Sequence, residues 1–559
     1  MTPICLTQDR MTQEHQLLTL AHLNMCQIQT ILEYAKYSGL SMNFDKTKVI
    51  WFGLNNEPPE IFLPQLNLEW NPEKFKILGV EFTCNLENIT ENNLTAKFPE
   101  MQRELDSWSK RDLTPFGKIT VIKSLVLSKI VHILIALPSP NNKTFKKMND
   151  MFFDFLWDGK PDKIKREIAK LKLEQGGLGM IDIVLFDKAL KLAWIRRLLT
   201  CSSKWKELIC LLYPKLENIQ FFGDQFIKGL GLEIKNTFWN NILTFLYEFH
   251  SKFQIMTFED LSASCFQFNN NFKVGGSVIS NGILIENNIF FIHQLMEEKV
   301  LMNYEQFTQK YNIQLNYLTF YSIIRCIEKS IDFYTLEETG RTLRNQQTLS
   351  VILKSKKGSS DIYNIFLNYT NKSKGKNKWK NLLGLEEDDW AGSFSFLKYT
   401  VKDTKLRWLQ FRILHHTLTT NRSVAKFKEN QTELCTFCNE RSETIQHLFW
   451  HCCFVREFWE KLRNTISTKC IHAERLVFNE KLILFGQDDF LYTDTVCNLI
   501  ILMAKLYIYR CKVQNSILDL KTFMRELYLR YCQEKIIIKD KTKFKNKWEP
   551  YSVLFKSLL

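Results

Sequence analysis

Apolar side chains recur every three or four positions over several stretches of the chain, which is the spacing of an amphipathic helix. A helix is predicted from Thr114-Pro115 to Pro138, because an N-cap hydroxyl followed by proline at the first helical position is a strong start signal. The same spacing predicts further helices over residues 11–37, ending at Ser38-Gly39, and over residues 186–199 and 498–512.

Two short stretches have the pattern of β-strands instead. Val49–Phe52 is a run of β-branched and aromatic residues, which predicts a buried strand. Phe75–Phe82 predicts another short strand with Gly79 near its centre, where a neighbouring backbone can approach closely. Together with the helices, these strands predict a mostly helical α+β protein.

Polar and glycine-rich segments separate the predicted elements. Lysine-rich segments at 355–360 and 371–380 predict linkers, and another at 535–547 predicts a basic tail. The glycines of 176–179 predict a compact turn. The tract 201–400 is mixed and rich in phenylalanine, and no single class of element is predicted for it.

The composition excludes several classes of protein. The chain has 559 residues, of which 45% are apolar and 24% are charged, with 20 glycines and 12 prolines. These values exclude collagen-like and low-complexity sequences, and an aromatic content of 13% excludes disorder of the whole chain. The length suggests about three to four domains.

The charge balance is basic, with 75 lysines and arginines against 60 aspartates and glutamates and a net charge of +15. Such a chain attracts polyanions, which include nucleic acid, an anionic membrane and an acidic partner. Lys123, Lys129 and His132 interrupt the most apolar stretch, so no membrane span is predicted. Because no secretory signal is found, we expect an intracellular location, in the nucleus or the cytoplasm, and reduced cysteines.

Four residues have the spacing of a zinc site. Cys435 and Cys438 form a CxxC pair, and His447 and Cys452 follow within 15 residues. Two thiolates of a CxxC pair bind one ion from a tight turn, and a following histidine and cysteine complete a tetrahedral Cys3His set. Four protein ligands leave no open position for water, so a structural zinc is predicted.

The exact ligand set stays open at this stage, because His451 and Cys453 lie beside the last candidates. Chance is the alternative explanation. Because the chain has 15 cysteines and 10 histidines, one CxxC pair alone is expected by chance. A CxxC pair followed by a histidine and a cysteine within 15 residues is much rarer by chance. The flanking apolar residues, which are expected to pack beside the metal, are Leu448, Phe449, Trp450 and Trp459.

Basic residues surround an aromatic one in a second candidate site. Those on either side of Trp157 are Lys143, Lys146, Lys147, Lys160, Lys163, Lys165 and Arg166. Such a cluster suits contacts to phosphates, with stacking as an additional contribution. The alternative is an ordinary solvated face, and composition alone does not separate the two.

Short motifs along the chain also match those of a known family in the same order. Residues 38–47 (SGLSMNFDKT) and 75–80 (FKILGV) resemble motif D and the primer grip of reverse transcriptases. Segments between Trp108 and Leu127, then FLWDGK at 155–160 and GGLGM at 176–180, resemble the thumb of non-LTR (LINE-type) retrotransposon polymerases. The cysteine and histidine cluster resembles the zinc-binding domain at the C-terminus of those polyproteins, of the vertebrate type.

The resemblance implies a division of the chain into five parts. It implies a partial reverse transcriptase palm at 1–100, a helical thumb at 101–200 and a mixed, mostly helical connection at 201–400. A zinc-knuckle region at 401–465 and a C-terminal helical region with a basic tail at 466–559 follow. The implied fold is α+β and mostly helical, with a remnant of the palm sheet.

The resemblance also implies roles for single residues. Lys46 would lie near the departing pyrophosphate and act as a general acid or charge stabiliser. Residues implied to hold the primer end are Phe75, Lys76, Leu78 and Gly79, and those implied to lie along the duplex backbone are Arg111, Lys118 and Lys123. The implied partners are RNA and DNA. The implied cofactor is structural zinc, with Mg²⁺ needed only by the full-length family polymerase.

The sequence departs from the family at its start. Family polymerases carry a Tyr/Phe-Ala-Asp-Asp turn immediately before the stretch that resembles residues 1–8, and such carboxylates hold the two metal ions of polymerisation. Asp9 and Asp45 do not supply that set. The chain is therefore interpreted as a truncated reverse transcriptase or, alternatively, a host-adopted, non-catalytic nucleic-acid-binding zinc protein.

Either interpretation predicts that this chain alone binds RNA or DNA without polymerising it. Primer extension by the purified chain with Mg²⁺ is expected to yield no product, because two-metal catalysis needs carboxylate ligands. Clear DNA synthesis would contradict this expectation.

Overall fold

The structure is a computed structural model, and it describes residues 30–31, 33–40, 48–49, 69–70, 74–83, 86–252, 258–330, 358–367, 374–384, 392–394, 403–429, 431–469, 478–486 and 495–555. The chain divides into two compact units, Met1–Lys97 and Phe98–Leu559. In the described part, helices dominate and the strands are short, which confirms the mostly helical α+β class.

The described strands of the first unit form two small sheets. Their bounds are β1 Lys48–Val49, β2 Glu69–Trp70, β3 Lys74–Ile77 and β4 Val80–Thr83, with β1 parallel to β2 and β3 antiparallel to β4. Leu78 and Gly79 have φ angles of 49° and 86°, so they form a two-residue hairpin turn. The prediction of a single strand over Phe75–Phe82 is therefore wrong, because these two left-handed residues reverse the direction of the chain.

Most of the predicted N-terminal helix and of the Val49–Phe52 strand lies outside the described residues. Where the helix is described, its end agrees with the prediction. The amide of Gly39 donates to the carbonyl of Ala35 at 3.1 Å, and Gly39 has a φ angle of 69°. A glycine in the left-handed conformation is a common helix terminator.

The α-helices that follow in the chain are α1 Ile89–Ser109, α2 Pro115–Val121, α3 Val131–Ala136, α4 Asn142–Trp157, α5 Arg166–Lys170, α6 Ile183–Thr200, α7 Lys204–Leu212, α8 Asp224–Glu233, α9 Thr237–Lys252, α10 Phe258–Ser262, α11 Gly282–Glu286, α12 Tyr304–Tyr311, α13 Tyr317–Ser330, α14 Gly358–Phe366, α15 Lys374–Leu383, α16 Thr404–Leu414, α17 Asn421–Ala425, α18 Cys453–Lys469, α19 Glu480–Phe485, α20 Thr495–Gln514, α21 Leu520–Ile537 and α22 Lys541–Trp548. Among the helices of the described part, none is both long and apolar enough to cross a bilayer.

Shorter turns and hairpins connect these helices. The 3₁₀ turns are Leu127–Lys129, Leu173–Gln175, Pro214–Asn218, Ile292–Leu295 and Glu549–Phe555, and the π turns are Ile122–Val126 and His447–His451. Two antiparallel hairpins pair β5 Lys273–Val274 with β6 Ser277–Val278, and β7 Met296–Glu297 with β8 Val300–Leu301.

Helix α2 begins where the sequence predicts. The Thr114 hydroxyl accepts from the amide of Gly117 at 3.5 Å, and Pro115 is the first helical residue. The predicted continuous helix is nevertheless interrupted, because a π turn and a 3₁₀ turn separate α2 from α3. Helix α3 ends at Ala136, two residues before Pro138.

Helix α6 carries a buried ion pair, and hydrogen bonds from its side chains join it to α3. Lys191 and Asp187 lie one turn apart on α6, both fully buried, with 3.1 Å between Nζ and Oδ1. The Lys191 ammonium also donates to the carbonyl of Leu134, and the Trp194 indole donates to that of Ile135 at 2.9 Å. Side chains of α6 thus satisfy carbonyls at the C-terminal end of α3, which have no partner within that short helix.

The tract 201–400 contributes two apolar cores. One is formed by helices α6 to α9 together with α14, where Trp239 and Phe249 are buried. The other lies between residues 258 and 327, where Phe266, Phe272 and Phe307 are fully buried. The phenylalanine-rich composition of this tract is therefore explained by packing between short helices and turns.

Two lysine-rich segments lie on helices, and the one predicted as a linker differs from the sequence interpretation. The described part of 371–380 is helix α15, whose Trp379 is fully buried and donates to the carbonyls of Ile413 and Leu414 at 3.1 Å each. The segment 535–547 lies on helices α21 and α22. It is anchored by the Trp548 indole, which donates to Glu534 at 2.9 Å. In each segment, lysines are exposed on one side of the helix and a tryptophan is buried on the opposite side.

Helix α20, predicted over 498–512, buries a lysine. Lys505 is completely buried, and its ammonium donates to the Gln410 side chain and, at 3.4 Å, to the carbonyl of Leu484. Burial lowers the pKa of Lys505 to about 7, because the charged form loses its hydration.

This lysine makes stability depend on pH. The unfolded lysine has a pKa of about 10.4, so between pH 7 and pH 10 the unfolded chain binds more protons. We expect the free energy of unfolding to rise with pH in this window by at most about 1.4 kcal/mol per unit, and to level off below pH 7, where both states carry the proton. Urea unfolding of Lys505→Met should show this slope removed, while the exposed Lys481→Met keeps it; equal slopes in both variants would refute the prediction.

Candidate metal centre and basic surface

The four predicted zinc ligands come together in space. Cys435 and Cys438 lie on a turn that ends at Asn439, which has a left-handed φ angle of 56°. The amide of Asn439 donates to the carbonyl of Cys435 at 2.9 Å and closes the turn. His447 and Cys452 stand at the two ends of a π turn, and the ligand atoms of all four residues lie within 4.8 Å of one another.

The distances suit a tetrahedral zinc ion. The sulfurs of Cys435 and Cys452 are 3.8 Å apart, and the Cys438 sulfur lies 3.4 Å from Nε2 of His447. Zinc–ligand bonds of about 2.3 Å to sulfur and about 2.0–2.1 Å to nitrogen imply S–S and S–N separations of about 3.8 and 3.5 Å. The residues therefore fit a structural Cys3His site with four protein ligands.

The π turn explains how residues five apart become neighbours. In an α-helix at about 100° per residue, His447 and Cys452 would point about 140° away from each other. Here the amide of Cys452 donates to the carbonyl of His447 at 2.9 Å, which is the i to i+5 bond of a π turn. The wider turn places both side chains on the same side.

The two neighbouring candidates are excluded as ligands by their positions. His451 is exposed and turns its Nε2 toward Glu480 at 3.5 Å, and Cys453 is exposed at the start of α18. The structure thus resolves the choice that the sequence left open. The predicted apolar support is largely present: Leu448, Phe449 and Trp459 are buried, and Trp450 is half-buried.

Two cysteines of the cluster have pKa values shifted in opposite directions: hydrogen bonding to the Cys435 thiolate, and then burial, raises the pKa of Cys452. The neighbouring Cys452 thiol, and then amide groups of the turn, lower the pKa of Cys435 to about 5. The amide of Phe437 lies 3.4 Å from the Cys435 sulfur. Because metal ligands must be thiolates, a lowered pKa favours metal binding at neutral pH.

A buried carboxylate holds the knuckle in place, and the sequence analysis did not identify it. Glu443 is fully buried. One oxygen accepts from the amide of Asn421 at 2.8 Å, and the other from the amide and hydroxyl of Thr436 at 3.1 and 2.9 Å. The ammonium of Lys512 lies 3.3 Å away. Glu443 therefore links the CxxC turn, the start of α17 and helix α20.

The predicted phosphate-binding residues divide into two groups. Lys123, Lys160, Lys163 and Lys165 are exposed, as is Arg111, whose guanidinium lies 4.0 Å from the centre of the Trp108 ring. These five side chains present positive charge to solvent. The structure thus places them where an anionic ligand could reach them.

The other two predicted residues are engaged within the protein. Lys118 is buried and its ammonium is paired with Asp158, which differs from the expected position along a duplex backbone. Helix α2 packs against α4 and α16, which buries the Lys118 side chain, and the sequence pattern did not reveal this packing. Arg166 is held by Asp150 at 2.7 Å and Asp162 at 2.9 Å, so part of its charge is neutralised.

The residues implied to hold a primer end lie on the β3–β4 hairpin. Phe75 stacks on Phe82 with 5.3 Å between ring centres. Lys76 is exposed, and Leu78 at the turn is 94% exposed beside Gly79. An apolar side chain at the tip of a small hairpin is free to contact another molecule. Lys46 lies outside the described residues.

Comparison with known protein families gives a match to part of the chain. Residues 373–459 match the family described as zinc-binding in reverse transcriptase. The matched segment contains helices α15, α16 and α17, the knuckle and all four candidate ligands. It identifies a zinc-binding domain whose cluster is compatible with structural zinc, and it supports a protein related to reverse transcriptases.

Proposed function

We propose that this chain is a nucleic-acid-binding protein related to reverse transcriptases, in which a structural zinc ion holds the region around residues 403–469 together. The match of residues 373–459 to the zinc-binding domain of reverse transcriptases supports the relationship. The Cys3His geometry supports a closed, non-catalytic metal site. A net charge of +15 supports a polyanion as the partner.

The observation that carries the binding proposal is the exposure of the predicted basic residues. Lys160, Lys163 and Lys165 follow the end of α4 and all face solvent. Among the described residues, none of the three forms an ion pair, so their charges are available. Phosphates attract such side chains irrespective of base sequence.

The finer assignment rests on the motif order in the sequence. We propose a LINE-type origin, with residues 1–100 derived from a palm and residues 101–200 from a thumb. The hairpin with Phe75, Lys76, Leu78 and Gly79 would then hold the primer end. Lys46 would lie in the palm, near the departing pyrophosphate. Lys123 and Arg111 would contact the duplex backbone, and RNA and DNA would both be partners.

A salt titration tests the proposed function. The full chain is expected to bind a fluorescein-labelled single-stranded RNA of 20 nucleotides, and a DNA of the same sequence, with an affinity that falls steeply between 50 and 200 mM NaCl. The reason is that each phosphate neutralised by a lysine or arginine releases counterions. An affinity that does not change with salt, or absence of binding at 50 mM, would contradict the proposal.

A further inference from the structure

A concave, positively charged cavity lies outside the metal centre. Its volume is about 310 Å³, and it opens between the loop before α5, helix α15 and the end of α16. Its polar lining includes Lys163, Lys165, Lys378, His416 and Thr417. We call this cavity the basic cleft.

The positive charge of the basic cleft is not balanced by the described residues that line it. Lys163, Lys165 and Lys378 are exposed, and no ion pair with a described residue engages them. The acidic residue of the lining is Asp162, and its Oδ2 accepts from Nε of Arg166 at 2.9 Å. Three lysines therefore line a cavity whose carboxylate is already paired.

Aromatic rings hold one of these ammonium groups without neutralising it. The Nζ of Lys163 lies 5.5 Å from the ring centre of Trp408 and 5.9 Å from that of Trp157. The guanidinium of Arg412 lies 5.6 Å from the Trp408 ring as well. Partial desolvation, and then repulsion from Arg412 and Lys160, lowers the pKa of Lys163. Two cations kept close together in this way favour an anion between or beside them.

Uncharged hydrogen-bonding groups complete the lining. The Thr417 hydroxyl oxygen is buried and has no hydrogen-bond partner within the described part of the chain. Burial, and then the charge of Lys378, lowers the pKa of His416. A phosphate oxygen accepts hydrogen bonds from imidazole N–H groups, whereas the Thr417 hydroxyl is closed off from solvent and is not presented to a ligand.

Close contacts fix the walls of the basic cleft relative to one another. A Cβ atom on Gly375 would lie 2.6 Å from the backbone of His415, so α15 approaches α16 as only glycine allows. The His415 ring contacts the carbonyl of Gly176 at 2.8 Å and joins the glycine turn to α16. The lining is therefore held by buried contacts, which is a feature of preorganised sites.

The geometry points to the basic cleft as a binding site for consecutive phosphates of a nucleic-acid strand. This inference rests on the proposed function and names the site through which it acts. A strand fits better than a single small phosphate, because the positive charge continues beyond the cleft to Lys160 and Arg412. A concave cavity also suits a strand better than the flat surface of a membrane.

Paired lysine variants of the full chain test the site. Binding of labelled 20-nucleotide RNA is measured by fluorescence anisotropy at several salt concentrations for wild type and for Lys163→Gln/Lys378→Gln. Loss of two phosphate contacts should weaken binding about tenfold near 100 mM salt and reduce the slope of log K against log salt by about 1.4. The control Lys535→Gln/Lys539→Gln, two exposed lysines with the same change of charge, should keep the affinity within about twofold.

Each outcome of this comparison is decisive. If wild type binds RNA with the expected salt dependence but both double variants behave alike, the cleft is refuted while the proposed function stands. If wild type binds neither RNA nor DNA, both the proposed function and the basic cleft as its binding site are refuted. Pyrophosphate binding measured by calorimetry distinguishes a small ligand: if it is lost in Lys163→Gln/Lys378→Gln while RNA affinity is unchanged, a nucleic-acid strand is refuted as the occupant. Unchanged zinc content and melting temperature confirm that the variants are folded.

Discussion

Replacing Cys435 by serine is expected to abolish stoichiometric zinc binding and to unfold the region around the knuckle. The Cys435 sulfur is buried 3.8 Å from that of Cys452, so its loss removes one of four ligands from the centre of the site. Apparent binding free energies of structural zinc reach about 10–16 kcal/mol in zinc-finger peptides. These binding free energies are comparable to the free energy of unfolding of a typical domain, which is about 5–15 kcal/mol.

The unfolding should be confined to part of the chain. The apolar cores around Trp239 and Phe307 do not include the knuckle, so they should persist without zinc. Zinc analysis of the purified protein is expected to give one ion per chain for wild type and none for Cys435→Ser. Limited proteolysis is expected to show new cleavage between residues 403 and 469 in the variant.

Cys453, which directly follows the ligand Cys452, provides the matched control for Cys435→Ser. It is exposed at the start of α18 and is not part of the ligand cluster, so Cys453→Ser should retain one zinc ion and the wild-type cleavage pattern. Zinc retained by Cys435→Ser, or lost from Cys453→Ser, would show that the ligand set is wrong.

Replacing Glu443 by alanine is expected to lower the free energy of unfolding by about 3–5 kcal/mol. The carboxylate is fully buried and accepts from the Asn421 amide and from both the amide and hydroxyl of Thr436. Its removal leaves these donors and the nearly buried Lys512 ammonium without their partner. An unpaired buried charge costs more than the lost pair contributed.

Urea unfolding with saturating zinc measures this effect. Glu440 lies three residues away and is exposed, so Glu440→Ala should change the stability by less than about 0.5 kcal/mol. A loss for Glu443→Ala no larger than that of the control would contradict the role of Glu443 as the link between knuckle, α17 and α20.

The ligands could be predicted from sequence because metal coordination restricts residue type and spacing so strongly. The sequence favoured His447 and Cys452 but could not exclude His451 and Cys453, because the distinction depends on a π turn. A π turn has no distinct hydrophobic period, and an ordinary helix would have separated the two ligands. Glu443 was missed for a similar reason: a glutamate in a polar stretch looks solvated until its tertiary partners are known.

Helix starts and ends were predicted well where local chemistry decides them. Thr114 and Pro115 begin α2, and Gly39 ends its helix, because each residue acts through its own backbone geometry. The hairpin at Leu78 and Gly79 was missed, because leucine rarely takes a positive φ angle and the pattern gave no turn signal.

The linker predicted at 371–380 was wrong, because a lysine-rich composition hides a single buried tryptophan. Trp379 and Trp548 are each surrounded by lysines in sequence, yet both are fully buried and bury one side of their helices. Lys118 shows the opposite error, since a lysine predicted to meet phosphate is buried against Asp158. In each case the partner is distant in sequence, so only the tertiary structure reveals it.

The measurement that tests the central claim most directly is X-ray absorption at the zinc edge of the purified full chain. A closed structural site formed by Cys435, Cys438, His447 and Cys452 predicts one zinc ion with three sulfur neighbours at about 2.3 Å and one nitrogen neighbour at about 2.0–2.1 Å. No water oxygen should complete the coordination. Fewer than three sulfur neighbours or a bound water would contradict it.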